Sequence, residues 1–227
     1  MSILVFDTSS IISLVTNDLL WLVSSLKEKF EGNFYIPNSV KVELVDKPMM
    51  TRKFKLEAIM ISKVINEGGL EVYAPLNVDD LLLHLNMIYN VGGRSLHIVD
   101  RAEVEALALT LRLQADSYVV DERTMRLVIE NPYKLKNILQ EKLQKRVEVN
   151  KKVLKDVQHI TKGIKVIRST ELVTVAYEKG LLNKYVTASN SEKDLVDGFL
   201  WGLRLRGCAI STEEIDEILR LETERKK

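Results

Sequence analysis

Cysteine is almost absent from this 227-residue chain, in which Cys208 is the single one. One cysteine cannot build a framework of intramolecular disulfides, so we expect a protein of the reducing cytoplasm. Long apolar runs are absent too, since no stretch offers the roughly 18 uncharged apolar residues of a membrane-spanning helix. Asp7 interrupts the apolar N-terminal stretch, which also lacks the basic start of a secretion signal. We therefore expect no membrane association.

Several motifs of common enzyme classes are missing as well. The chain has no Gly-x-Gly-x-x-Gly fingerprint, no phosphate-binding loop that ends in Gly-Lys-Ser/Thr, and no serine nucleophile elbow. Its three histidines, His84, His97 and His159, are scattered without the spacing of metal ligands. Asp7 is followed by Thr8 and Ser9, which excludes the Asp-x-Asp pattern of haloacid-dehalogenase-type phosphatases.

The net charge of +1 conceals an uneven distribution along the chain. Residues 1–123 contain 12 basic and 17 acidic residues, whereas residues 124–227 contain 21 and 15. The stretch 131–168 alone has 11 basic and 3 acidic residues. An acidic first half and a basic segment are compatible with a cation-binding pocket beside a track for a polyanion. A solvated, lysine-rich helix is the alternative explanation of the basic stretch.

Apolar segments alternate with helical patterns along the chain. The predicted strands are 3–6, 33–37, 70–75, 117–120 and 164–167. Helices between strands predict a three-layer α/β/α sandwich with a mostly parallel central sheet, formed by a single domain over residues 1–227. Residues 77–93 are predicted as one helix that ends in glycines. After Pro132, three- and four-residue apolar spacing predicts a helix of about 25–30 residues within a basic helical insertion at about 131–163.

Acidic residues follow two of the predicted strands. Asp7 comes directly after the first strand and Asp121 directly after the fourth, so neighbouring strands would bring both to the carboxyl edge, where α/β sheets bind ligands. Glu43 and Glu103 lie near the starts of helices that begin at the same edge. Four carboxylates repel one another unless a cation neutralises them. Oxygen ligands without histidine or cysteine suit Mg²⁺ or Mn²⁺.

Each of these acids also has a purely structural explanation. Asp7 and Asp121 have the position of helix N-caps. Asp100 and Glu103 have the spacing of a capping box, in which Glu103 bonds back to the backbone. Glu43 fits an ordinary surface position on a helix. Residue type alone does not separate these acids from four others, Asp79, Asp80, Glu105 and Asp116.

Four parts of the chain resemble the PIN-domain nucleases, in particular longer archaeal and bacterial members related to toxin-type ribonucleases. The first two are ILVFDTSSIISL and YIPNSVKVEL. The third, DRAEVEALALTLRLQADSYVVDERTMRL, is similar to the family's acid before an Ala-Leu-Ala helix, followed by a strand and two acids. VAYEKGLL and LVDGFLWGLRLRGCAIS are similar to the C-terminal part of a longer subgroup. The resemblance implies a Rossmann-like sandwich.

The resemblance also implies a metal-dependent endoribonuclease that cleaves single-stranded RNA by attack of a water molecule. The residues that it makes catalytic are Asp7, Glu43, Glu103 and Asp121. Of these, Asp7, Glu103 and Asp121 would hold one or two Mg²⁺ or Mn²⁺ ions. Ser9 would position the first carboxylate, and Glu122 would assist the site.

Further expectations concern partners. RNA backbone contacts are expected from basic residues of the 131–163 segment, among them Lys134, Lys142, Lys145, Arg146 and Lys152. The same segment is equally suited to dimerisation or to binding an antitoxin or assembly protein. Family members commonly dimerise, so a homodimer is expected. Two alternatives remain open, a non-catalytic RNA-binding or assembly module and the toxin of a toxin–antitoxin pair.

Overall fold

The computed structural model describes residues 2–187 and 192–224. Its strands are β1 (Ile3–Phe6), β2 (Asn33–Pro37), β3 (Glu71–Tyr73), β4 (Tyr89–Val91), β5 (Arg94–Ser95), β6 (Ser117–Val119), β7 (Glu148–Val149) and β8 (Val166–Ile167). All five strands predicted from the sequence are present, although β3, β6 and β8 are shorter than predicted. They form one parallel sheet in the order β3-β2-β1-β6-β8.

Helices make up most of the remaining chain. They are α1 (Thr8–Thr16), α2 (Trp21–Phe30), α3 (Asn38–Lys41), α4 (Lys47–Met49), α5 (Lys55–Asn66), α6 (Asp79–Asn86), α7 (Arg101–Leu113), α8 (Arg123–Glu130), α9 (Pro132–Leu143), α10 (Lys151–Ile160), α11 (Ser169–Glu178), α12 (Glu192–Leu205) and α13 (Thr212–Glu224). A π-helical stretch, Val42–Asp46, joins α3 to α4, and a 3₁₀ turn covers Asn183–Tyr185.

Two apolar cores cover the two faces of the sheet. Side chains alternate along each strand, so Leu4 and Phe6 of β1 belong to one core and Val5 belongs to the other. The first core includes residues of α1, α2, α5, α11 and α12, and the second includes residues of α6 to α10. Because both faces are covered, the strands are apolar at nearly every position. The predicted three-layer α/β/α sandwich is confirmed.

The order of the strands places a crevice between β1 and β6. The chain proceeds from β1 to β2 and β3 on one side, and then crosses to β6 and β8 on the other. Phe6 is in register with Val119, and the amide of Asp7 donates to the carbonyl of Val119 over 3.0 Å. Ligands of open α/β sheets bind where the strand order reverses in this way. The carboxyl ends of β1 and β6 are therefore the expected location of a site.

The prediction of one helix of about 25–30 residues after Pro132 is wrong, because the chain forms two helices there. Helix α9 ends at Leu143, because Gln144 adopts a left-handed conformation with φ 51°. Strand β7 then pairs with β4, and Asn150 caps the start of α10 by accepting a hydrogen bond from Val153. The apolar spacing continues through this break because Val147 packs into the second core together with both helices. The 131–163 segment thus covers one face of the sheet.

The prediction of a single helix over residues 77–93 is also wrong. Helix α6 ends at Asn86, and β4 and β5 form an antiparallel hairpin. Gly92 and Gly93 connect these strands with φ values of 56° and 78°. Two consecutive residues with positive φ are typical of a tight hairpin turn, which glycine adopts without strain. The glycines therefore mark a turn between strands, and not the predicted end of a helix.

Within the described residues, no single helix has the length and apolar character needed to cross a membrane. Only α1 and α2 taken together, bent by 114° relative to each other, meet that criterion of length and composition.

Tyr89 tests the attachment of α9 to the second core. Its side chain is fully buried, and its hydroxyl donates to the carbonyl of Pro132 over 2.7 Å. We expect Tyr89→Phe to lower the free energy of unfolding by about 1–2 kcal/mol, because a buried carbonyl loses its donor. Tyr133→Phe is the matched control, since Tyr133 is exposed. Urea unfolding measures both variants, and equal stability of the two would contradict this packing.

Candidate functional site

Asp7 lies directly after β1 and caps the start of α1. Its carboxylate oxygen Oδ2 accepts hydrogen bonds from the Ser9 amide at 3.2 Å and from the Ser9 hydroxyl at 2.7 Å. The other oxygen, Oδ1, is buried and has no hydrogen-bond partner in the part of the chain that the structure describes. Burial raises the pKa of Asp7 from 3.8 to about 6, against the lowering effect of the Ser9 hydrogen bonds. The N-cap explanation therefore accounts for only one of the two oxygens.

The Ser9 hydroxyl connects the ends of two strands. It donates to Asp7 and accepts from the amides of Asp121 at 3.0 Å and Glu122 at 3.1 Å. Ser10 adds a second connection, since its hydroxyl donates to the carbonyl of Val119 at 3.1 Å. The sequence predicted that Ser9 positions Asp7, but its two bonds to the backbone after β6 were not predicted. These contacts fix the acids that follow β1 and β6 relative to one another.

Glu103 caps α7 and also interacts with the other acids. Its Oε2 accepts from the Asp100 amide at 2.7 Å, which is the capping contact considered as an alternative. Burial, together with the negative charges of Asp7, Glu122 and Asp100, raises the pKa of Glu103 from 4.5 to about 8, against the lowering effect of the Asp100 amide. The capping role and membership of an acidic cluster are therefore compatible. A carboxylate in this electrostatic environment favours a nearby cation.

Glu43 joins the same cluster from the π-helical stretch Val42–Asp46. Its Oε2 accepts from the Thr8 hydroxyl at 2.9 Å, and its charge contributes to the raised pKa of Asp7. Short π-helical segments inside helices often occur at functional sites. The contact between Thr8 and Glu43 was not predicted from the sequence.

Asp121 and Glu122, which follow β6, differ in the groups that bind their carboxylates. Both oxygens of the fully buried Asp121 carboxylate accept from Ser169, at 2.7 Å from its amide and 2.6 Å from its hydroxyl. Asp121 thereby attaches the end of β6 to the first residue of α11, and its charge is not among those that raise the pKa of the neighbouring Tyr118. Glu122 is half-buried, caps α8 through the Met125 amide at 2.8 Å, and its charge acts on Glu103. Consecutive residues of an extended backbone point to opposite sides, which explains why the two carboxylates have different partners.

Tyr118 lies beside the acids, on the face of the sheet that the second core covers. Its buried hydroxyl donates to the carbonyl of Glu103 at 3.3 Å. Burial raises the pKa of Tyr118 well above its ordinary value, and three acidic side chains raise it further, namely Asp7, Glu103 and Glu122. One buried group thus senses all three charges, which supports their grouping. No sequence motif singled out this tyrosine.

The basic residues predicted to contact RNA are exposed on the segment that covers the second core. Their apolar neighbours Leu135, Val147 and Leu154 point into the second core. The exposed cations occupy α9, the turn after it and α10, at Lys134, Lys142, Lys145, Arg146 and Lys152.

The donor set of the acidic cluster fits a hard divalent cation that retains much of its water. Throughout residues 2–187 and 192–224, no three side chains of His, Cys, Asp or Glu come close enough to hold an ion by themselves. Mg²⁺ is commonly held by one or two carboxylates together with water. The unpartnered, buried Oδ1 of Asp7 is an atom that such an ion would satisfy. Glu43, Glu103 and Glu122 supply further oxygen donors.

The comparisons with known proteins agree with the resemblance seen in the sequence. A family model described as a PIN domain matches residues 3–136, from β1 to the first turns of α9. This span includes every acid of the cluster, whereas Ser169 lies beyond it. The chain has no significant match among curated proteins or solved structures.

Asp7→Asn tests the cost of the buried carboxylate. Since folding raises the pKa of Asp7 from 3.8 to about 6, the favourable contribution of its protonated form is present below about pH 4 and is lost as the pH rises through 6. In EDTA, we expect the variant to gain about 1–3 kcal/mol of unfolding free energy over the wild type between pH 4 and pH 7.5. Urea unfolding across this pH range measures the gain. Asp80→Asn, at an exposed position, should show no such trend, and a pH-independent difference for Asp7→Asn would contradict the burial argument.

Proposed function

The chain belongs to the PIN-domain family, and on this basis we propose that it is a metal-dependent endoribonuclease acting on single-stranded RNA with Mg²⁺ or Mn²⁺. PIN domains are typically nucleases and generally use divalent metal ions. The observation that carries the proposal is the buried Oδ1 of Asp7 at the β1–β6 edge, which has no hydrogen-bond partner among the described residues and lies beside other carboxylates. A cation would compensate for the cost of that arrangement.

Neighbouring groups orient each carboxylate of the proposed site. Ser9 occupies Oδ2 of Asp7, so that Oδ1 is the oxygen left for a ligand. Thr8 orients Glu43 in the same way. Backbone amides at the starts of α7 and α8 orient Glu103 and Glu122. Such support restricts the rotation of ligand side chains and is a general requirement of metal sites.

The proposed reaction is hydrolysis of a phosphodiester. A divalent ion at these carboxylates would lower the pKa of a water molecule and offset the charge of the phosphate. The water oxygen forms a bond to phosphorus while one ester P–O bond breaks. The departing oxygen takes up a proton, and a carboxylate of the site accepts the proton that the water loses. The side chains of Asp7, Glu43, Glu103 and Glu122 supply the negative charge, and Asp121 keeps the edge in place.

A second candidate function is an RNA-binding or assembly module without catalysis. One observation favours it, because no three acidic side chains among the described residues converge closely enough to hold an ion alone. Such a module would bind single-stranded RNA but leave it intact in Mn²⁺. The two candidates therefore differ in a measurable product.

Cleavage of a fluorescently labelled single-stranded RNA in Mn²⁺ tests the proposal. The wild type should cleave in Mn²⁺ and not in EDTA. Asp7→Asn, Glu103→Gln and Glu122→Gln should each lose roughly 10- to 100-fold or more in rate, because each removes an oxygen charge from the site. Asp80→Asn is the matched control, since it removes an exposed carboxylate outside the cluster, and it should cleave like the wild type.

Two outcomes would contradict the proposal. Cleavage that persists in EDTA and in Asp7→Asn would mean that the activity does not come from this site. RNA binding without any cleavage in Mn²⁺ would instead support the non-catalytic module.

A further inference from the structure

A second basic segment lies close to the acidic site, outside the 131–163 region. It runs from residue 47 to residue 55 with the sequence KPMMTRKFK, and connects the π-helical stretch to α5. Four cations in this segment are exposed, and none forms a salt bridge within the described part of the chain: Lys47, Arg52, Lys53 and Lys55. Lys41, by contrast, is paired with Asp46 just before this segment. Positive charge is therefore available to a polyanion here.

Phe54 stands in the middle of these cations. Its side chain is 52% exposed and its φ is 60°, a left-handed conformation that bulky residues rarely adopt. The Thr51 hydroxyl donates to the carbonyls of Pro48 at 3.1 Å and Lys53 at 2.9 Å, which fixes the preceding turn. The ammonium of Lys53 lies 4.8 Å from the centre of the Phe54 ring. Local structure thus holds an aromatic ring at the surface, and such strain is often found where a residue binds something.

The ring of Phe54 also borders an apolar cleft that reaches the acidic site. The cleft has a volume of about 80 Å³, and its walls include Ile12, Leu44, Ile61 and Glu43. Glu43 is the same residue whose carboxylate accepts from Thr8, next to Asp7. The acidic site, the cleft and the basic segment are therefore continuous through one side chain.

We propose that Phe54 and this cleft form a base-stacking subsite for single-stranded RNA, with Arg52, Lys53 and Lys55 contacting its phosphates. The proposal rests on the proposed function and adds to it the surface that presents the strand to the carboxylates. An acidic cluster alone repels RNA, so cations beside it are needed for association. Aromatic side chains interleaved with cations are the usual platform for single strands, because every base has a face that stacks.

A second copy of this chain is the competing occupant. Met50, Leu56 and Ile59 are also exposed near Phe54 and would suit an apolar contact. In a twofold-symmetric dimer, however, this segment would face its own copy, and its unpaired cations would repel each other. The charge therefore favours a polyanion at this surface.

RNA binding in EDTA separates the subsite from hydrolysis. Fluorescence anisotropy of a labelled single-stranded RNA should give a Kd about tenfold higher for Phe54→Ala than for the wild type, and a Kd near the wild-type value for Phe54→Trp. Leu56→Ala, which removes a neighbouring exposed side chain outside the cleft walls, should leave the Kd unchanged. Circular dichroism verifies that each variant is folded.

Salt dependence tests the phosphate contacts. Arg52→Gln/Lys53→Gln/Lys55→Gln should reduce the slope of log K against log salt by roughly 2, at about 0.7 for each contact with a single strand. The charge-matched control replaces exposed lysines on α2, on α5 and directly after α11, as Lys29→Gln/Lys63→Gln/Lys179→Gln, and should keep the wild-type slope.

The outcomes distinguish the subsite from the nuclease. An unchanged Kd for Phe54→Ala would overturn the subsite. So would an equal loss of RNA affinity in Leu56→Ala together with a change in the molecular mass measured by analytical ultracentrifugation. If the wild type fails to cleave in Mn²⁺ but Phe54→Ala still weakens binding, the subsite holds and the proposed hydrolysis fails. If cleavage depends on Asp7 while Phe54→Ala binds normally, only the subsite fails.

Discussion

The hydroxyl of Ser9 is the contact on which the arrangement of the acidic edge depends. It donates to Asp7 after β1 and accepts from two amides after β6, so that one side chain joins the two strand ends at the crevice. The bond also leaves the other oxygen of Asp7 buried, with no hydrogen-bond partner in residues 2–187 and 192–224. A buried carboxylate oxygen without a hydrogen-bond partner is costly in a folded protein. The fold retains this cost at the point where the strand order reverses, which is where α/β proteins place ligands.

The layers of the fold were predictable because their physical causes are local. Each central strand is apolar on both faces, and the strands alternate with helical segments, so parallel order and a three-layer sandwich followed from pattern alone. The hairpin at Gly92–Gly93 and the break at Gln144 were not predicted. In both places the apolar spacing fits a helix, and only pairing between β4 and β7, which are far apart in sequence, selects strands. Tertiary contacts override local propensity here.

The residues of the site likewise divide into those that were predictable from the sequence and those that depend on contacts distant in sequence. Strand ends and helix starts pointed to Asp7, Glu43 and Glu103, since those positions follow from the order of the elements. Choosing between Asp121 and Glu122 required knowledge of Ser169, which lies 48 residues further along and binds both oxygens of the first. The sequence alone does not reveal that contact. Two adjacent acids at a strand end cannot be assigned different roles until the structure shows which of them has a buried partner.

Binding of Mn²⁺ measured by electron paramagnetic resonance tests the central claim most directly. The claim is that Asp7, Glu103 and Glu122 form the metal-binding edge, while Asp121 is a structural anchor. The account predicts that Glu122→Gln weakens Mn²⁺ binding at least tenfold and that Asp121→Asn, in the fraction that remains folded, binds Mn²⁺ like the wild type. Loss of binding in Asp121→Asn with normal binding in Glu122→Gln would contradict it.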